Sequence, residues 1–382
     1  MSGASTPLDS RSGNSQPKPG MDTSTLKPID GAGIFHLTPD LPPKVCGVGD
    51  YATILAQDLA SQHTIASNLV AFTNCNSYSP AVADFPATSS PPNSRAMLDA
   101  FQDDCRCLIL HYAGFGYQKR GCPFWLLRAL TSLKEKQPEL TLITMFHETY
   151  GQGKPWNSSF WSRPLQESIC RQIADLSNSV ITNRSISQAF LQRSQSKPIH
   201  LLPVFSNVGE PPSLPPFQNR KRRLILFGGT TQRRLALENN LEEIRELCRT
   251  YQIEECLEIG PGRTSCPTGL PWKQAGTLPA EEISKILESS MFGYVSYPSH
   301  SLEKSGIFAA YVAHGVIPCI PASNEQSPFD GDTLCLRPHS ELTPLPAAEL
   351  ETTSKMTFEW YQSHSVSSHG NLFAHEIRSH LR

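Results

Sequence analysis

Short runs of consecutive apolar residues alternate along this chain with longer stretches in which apolar residues recur every three or four positions. The runs occupy 68–73, 107–112, 141–146 and 179–182 in the first half, and 224–227, 256–259, 292–296 and 316–320 in the second. Runs this short and this apolar predict strands buried on both faces. Between them, 51–61, 125–136, 164–176, 235–251 and 279–289 carry the i, i+3, i+4 spacing of helices packed along one side. Strands alternating with such helices predict parallel βαβ units, so the chain reads as α/β.

The alternation breaks at 208–223, VGEPPSLPPFQNRKRR, which has four prolines and no period. It reads as a linker between a first domain at 31–207 and a second at 224–345. Its basic end, 220–223, is either a solvated lead-in to a strand or a contact for a polyanion. Residues 1–30 are rich in Ser, Gly, Pro and Thr and read as a disordered tail. Residues 346–382 read as terminal helices that could fold back on the first domain. Their histidines, at 364, 369, 375 and 380, have no ligand spacing and read as part of a solvated helix.

The 382 residues suffice for two or three domains with real cores, and 38% hydrophobic with 18% charged content is globular. A net charge of -2 provides no global field for nucleic acid. Eleven scattered cysteines without zinc spacing read as reduced thiols in a cytoplasmic protein, with no metal expected. Residues 1–30 lack an apolar core for a secretory leader. No run of about 20 apolar residues is present, so membrane contact is expected to be peripheral at most.

The segment 302–320, LEKSGIFAAYVAHGVIPCI, concentrates the candidate chemistry. Its small residues predict a helix broken at Gly315 and followed by a short strand. Backbone N–H groups at such a helix start, around Ser305 and Gly306, attract phosphate, and Lys304 adds a full charge. In KVCGVGDY, 44–51, Gly47 and Gly49 let backbone approach a ligand before Asp50 and Tyr51 open a helix; a plain turn is the other reading. His147 and Glu148 follow the run 141–146, where a His can contact a sugar hydroxyl or serve as a structural loop residue. In GGTTQRR, 228–234, Arg233 and Arg234 either clamp a diphosphate or form an ordinary cationic helix start. The loops 112–123 and 150–161, with Tyr117, Trp156 and Trp161, suit carbohydrate or base contact, or serve as lids. Neither a Walker A loop nor a GxGxxG fingerprint is present.

Together these motifs resemble the GT-B glycosyltransferases, two Rossmann-like domains facing each other across a cleft. The nearest likeness is to the retaining, glycogen-synthase-like group of the family 4 type, in wording that looks like a divergent bacterial, cyanobacterial branch. Lys44, Gly47 and Asp50 resemble that group's glycine loop, and 303–315 resembles its donor-binding helix. The family carries two glutamates there, eight positions apart. Anchored on Gly315, they fall at Leu302 and Ala310, with Glu303 one residue off the first.

The resemblance implies a nucleoside-diphosphate sugar as donor, no cofactor and an acceptor that could be a glycan, lipid or small molecule. His147 would contact the sugar and Glu303 the donor sugar or ribose. Arg233 and Lys304 would act on the leaving diphosphate, with Gly47, Gly49, Arg234, Ser305 and Gly306 around it. Asp50, Tyr51, Tyr117, Trp156 and Trp161 would lie on the acceptor side. The missing second Glu keeps two alternatives open: a non-catalytic carbohydrate- or nucleotide-binding relative, and a sugar-nucleotide epimerase or hydrolase of the same architecture.

Overall fold

A computed structural model describes residues 33–44, 46–73, 81–101, 105–151, 158–322, 329–338 and 343–381. The expected tail at 1–30 and Trp156 lie outside these residues.

The first domain runs β1 (Ile34–Thr38), α1 (Gly47–His63), β2 (Asn68–Phe72), β3 (Ala81–Val82), β4 (Phe85–Ser90), α2 (Ser94–Ala100), β5 (Cys107–Ala113), α3 (Gly114–Tyr117), α4 (Phe124–Lys136), β6 (Thr141–Glu148), α5 (Ser158–Leu176), β7 (Ser179–Thr182), α6 (Ser185–Gln192) and β8 (Ile199–Leu201). Its sheet has the order β3-β4-β2-β1-β5-β6-β7-β8 and is parallel except for the β3–β4 hairpin. β5 is buried at every residue and β6 at all but its last, which is why both read as unbroken apolar runs.

The second domain runs β9 (Lys221–Phe227), α7 (Thr230–Thr250), β10 (Glu255–Ile259), β11 (Trp272–Gly276), α8 (Ala280–Glu288), β12 (Ser290–Tyr294), α9 (Gly306–Ala313) and β13 (Ile317–Cys319). Its sheet, β11-β10-β9-β12-β13, is wholly parallel. In each sheet the strand order reverses beside the first strand, at β1/β5 and at β9/β12. Crevices that hold ligands open at such switch points, outside the carboxyl ends of the strands.

Two helices close the chain. α10 (Ala347–Gln362) packs on α9 of the second domain, and α11 (Val366–His380) crosses to lie along α1 of the first. Arg378 donates to the His63 carbonyl at 2.8 Å, and Thr141 Oγ1 to the His380 carbonyl at 3.1 Å.

The helix start expected around Ser305 and Gly306 lies there: Ser299–Lys304 forms a 3-10 turn, Ser305 is the N-cap and α9 begins at Gly306. Three expectations change. The linker gives way to β9 at Lys221, before its expected end. Arg220 is buried rather than solvated, and its guanidinium donates to the His314, Gly315 and Ser290 carbonyls at 2.8, 2.9 and 3.2 Å. It thereby satisfies the carboxyl end of α9. His369 is fully enclosed between α11 and α1 instead of facing solvent. The pattern also missed β1, β3, β4, α2, α3, α6, β8 and β11, all short or only partly buried. The ten described cysteines are free thiols. Among the described residues, no helix is long and apolar enough to cross a membrane.

Candidate functional site in the interdomain cleft

A cavity of about 370 Å³ lies between the domains at the carboxyl ends of both sheets. The first domain lines it with Gly47, Tyr51, His147, Glu148 and Asn183, and the second with Tyr297, Lys304 and Gly306. The structure thus brings together five of the residues expected from sequence: Gly47, Tyr51, His147, Lys304 and Gly306.

Two helix starts meet there. Cys46 at the N-cap of α1 supplies no side-chain hydrogen bond, so the first N–H groups of that helix are left open. At α9, Ser305 Oγ accepts from Phe308 N at 3.1 Å, while Gly306 and Ile307 precede any intrahelical partner. Positive helix ends from both domains therefore converge on one space. Lys304 adds its charge, 3.4 Å from Glu148 Oε1 across the cleft. The two glycines of the first loop have separate tasks. A Cβ on Gly47 would meet nothing within 4 Å, so its openness serves the cavity; one on Gly49 would stand 2.3 Å from the Asp40 carbonyl, so Gly49 serves packing.

His147 ends a line of three imidazoles carried on β1, β5 and β6. His36 Nδ1 lies 3.0 Å from His111 Nε2, and His111 Nδ1 lies 3.4 Å from His147 Nε2. Burial lowers the pKa of His36 and of His147 to about 3 and that of His111 well below the ordinary value, so all three are neutral. Tyr51 closes the inner wall, its ring stacked on Phe205 at 4.4 Å and edge-on to His147 at 4.8 Å. Its hydroxyl meets His369 Nδ1 at 2.6 Å, while His369 Nε2 meets the Pro203 carbonyl at 2.9 Å. A carbonyl only accepts, so His369 carries its proton on Nε2 and Tyr51 donates to Nδ1.

The remaining expected residues stand elsewhere. Arg233 is buried, with Nη1 on Glu258, Nη2 on the Pro261 carbonyl and Nε 2.8 Å from the Gly228 carbonyl. Glu258 also accepts from Thr264, Trp272 and Gln274, so Arg233 belongs to a closed network within the second domain and does not line the cavity. Arg234 is exposed beside Glu238 and does not line the cavity.

Glu303 is buried at the domain junction and does not line the cavity. Its Oε2 accepts from Ser185 N at 2.9 Å, the first residue of α6, and its own carbonyl accepts from Val204 N. A carboxylate at a helix start is favourable there, although burial still raises its pKa. Tyr117 is buried with its hydroxyl 3.0 Å from the Leu37 carbonyl, and so braces β1 and does not line the cavity. Trp161 is 74% exposed in the first turn of α5, away from the cavity. Asp50 sits in the first turn of α1, its pKa raised by burial, and does not line the cavity.

Sequence reasoning missed Asn183, Phe205, Asn207 and Tyr297 on the cavity wall, and His36, His111 and His369 behind it. The available signal was a single His in each of three apolar strands: IFHLT, CLILHYA and TLITMFHE.

No family model and no curated protein matches the sequence. Solved structures do match its fold. An OtsA apo structure superposes with a TM-score of 0.56 at 11% identity, over 90% of this chain and 98% of that one. The N-terminal domain of a Candida albicans trehalose-6-phosphate phosphatase gives 0.60 at 10% identity, over 92% and 97%. WaaG, a glycosyltransferase involved in lipopolysaccharide biosynthesis, gives 0.51 at 10% identity, over 89% and 98%. The chain therefore has the GT-B architecture: two Rossmann-like α/β domains facing each other across a cleft.

Proposed function

We propose that this protein is a glycosyltransferase that takes a nucleoside-diphosphate sugar into the interdomain cleft and passes the sugar to an acceptor, with retention at the anomeric carbon. The observation that carries this reading is the convergence of Lys304 and two open helix starts, at Gly47 and Gly306, on one cavity beside His147. Those groups suit a diphosphate. They neutralise charge that grows on the leaving oxygen, and fixed donors of this kind are often the largest catalytic term. His147, neutral and buried, supplies a hydrogen bond to the sugar. The apolar wall of Tyr51 and Phe205 keeps water from the reacting carbon. No step calls for a metal or other cofactor.

The test is a thermal-shift screen against nucleoside-diphosphate sugars, followed by product detection with the donors that bind. A ligand at 100 times its Kd stabilises the native state by about 2.7 kcal/mol. The absence of any shift across the panel would count against the reading.

A second reading is a binding module without turnover. Arg233 is engaged by Glu258, and Ala310 occupies the position where the family resemblance expects a ribose-holding Glu. Saturable binding with no product from any acceptor mixture would favour it.

A further inference from the structure

The imidazole line behind His147 ends blindly. His36 Nε2 is buried and meets no hydrogen-bond partner among the described residues. Its Nδ1 faces His111 Nε2, and His111 Nδ1 faces His147 Nε2. Each neutral imidazole has one donor and one acceptor, so the three rings can be protonated consistently in only two ways. In one, every proton sits on Nε2 and His36 buries an N–H against nothing. In the other, every proton sits on Nδ1 and His36 buries only a bare lone pair. Buried N–H groups without a partner are rarer than under-used acceptors.

We propose that His36 and His111 are positioning residues that lock His147 with its proton on Nδ1, so that it presents a donor and no lone pair to the cleft. The blind end matters in a second way. A line with no outlet at His36 cannot carry protons to solvent, so it fixes a tautomer and does not act as a relay. His147 Nδ1 has no protein partner among the described residues, and His147 lines the cavity, leaving that N–H for a ligand. The group opposite it must be an acceptor oxygen, a sugar hydroxyl or a phosphate oxygen. His147 cannot then take the proton of an incoming acceptor hydroxyl as a general base. This last consequence rests on the glycosyltransferase reading; the tautomer does not.

The tautomer can be read without turnover. Long-range proton–nitrogen spectra of the full chain with nitrogen-15 histidine, near neutral pH, distinguish the protonated ring nitrogen from the bare one. The His147 signals are assigned by their loss in His147→Gln. A protonated Nδ1 and bare Nε2 on His36, His111 and His147 are expected; a proton on His147 Nε2 in the native protein overturns the proposal. In His36→Phe the blind end passes to His111 Nε2, so the same argument keeps the proton on His147 Nδ1. His36→Asp, an acceptor when ionised, turns the line round, and the His147 proton should move to Nε2. With a donor that turns over, kcat of the Asp variant should fall about tenfold or more while KM for the donor stays near the native value. His36→Asn, whose amide N–H can stand in for Nδ1–H, should keep both the native spectrum and kcat; an unchanged His147 tautomer in a folded Asp variant counts against the positioning role. If His36→Asp does not fold, the native spectrum and the Asn variant decide. A protein that binds and turns over no nucleotide sugar would sink the functional reading while the spectrum still decided the tautomer.

Discussion

Lys304 of the second domain reaches across the cleft to within 3.4 Å of Glu148 Oε1 of the first. The two side chains are 32% and 42% exposed, so water screens the pair and its contribution to stability is small. A diphosphate in the cavity offers Lys304 a better partner: more charge, held beside two helix starts.

Replacing Lys304 by Ala should therefore separate activity from folding. We expect transfer to fall on the order of 100-fold or more, with unfolding free energy changed by less than about 1 kcal/mol. Steady-state kinetics and urea titration on the same preparation measure both. Near-native turnover would remove Lys304 from the mechanism.

The two glycines of α1 predict opposite phenotypes. Gly47→Ala meets no atom within 4 Å and should fold normally while placing a methyl group on the cavity wall, weakening donor binding. Gly49→Ala drives a Cβ to 2.3 Å from the Asp40 carbonyl. Relieving that overlap by backbone movement should cost about 1–3 kcal/mol. Melting temperature and donor Kd, measured for each, should change in different variants.

The adjacent arginines should differ as sharply. Arg233→Ala leaves Glu258 as a buried charge without its ion-pair partner, and breaking such a pair costs about 3–5 kcal/mol. Arg234→Ala removes an exposed side chain whose nearest carboxylate is 3.7 Å away and should stay within about 0.5 kcal/mol of the native protein. Chemical denaturation decides; equal effects would contradict the buried network.

Acid should destabilise the fold through its enclosed histidines. Burial lowers the pKa of His36, His147 and His369 to about 3 and that of His314 to about 4, against an ordinary 6.5. The unfolded chain takes up these protons below about pH 6.5 and the native state does not. Stability is thus fully present above that pH and lost as pH falls toward 3–4, by up to about 1.4 kcal/mol per pH unit for each such group. Unfolding free energies at several pH values between neutrality and about 4.5 should show the slope, and His369→Phe, if it folds, should make it shallower. Asp58, whose pKa burial raises to about 6, and the buried Asp50, Glu210 and Glu303 slope the other way, so the histidine contribution is read from the difference between the native protein and His369→Phe, and identical slopes would count against an enclosed neutral His369.

The main framework was legible because it is local. Unbroken apolar runs and period-3.6 patterns report which segments and faces are buried, and the runs at 107–112 and 141–146 lie within β5 and β6. Trp272–Gly276 was not legible: every residue of that edge strand is partly or fully exposed, so its burial leaves no run to detect. The helix start of α9 was legible because Ser305 before Gly306 and a run of small residues marks an N-cap, and Ser305 Oγ does accept from Phe308 N.

By itself, the sequence determined the α/β alternation, the division near the proline-rich segment, and a Ser-Gly helix start beside a lysine. These depend on neighbours within a few residues. Only the tertiary structure decided what each charged group faces. Glu303 finds Ser185 across a separation of 118 residues, Tyr51 finds His369 across 318, and Lys304 finds Glu148 across 156. Hydrogen bonds and ion pairs depend on distances of a few ångströms that chain closure sets. A local pattern can therefore name a candidate arginine or glutamate, and the packing of two domains determines whether it faces the cleft or the core.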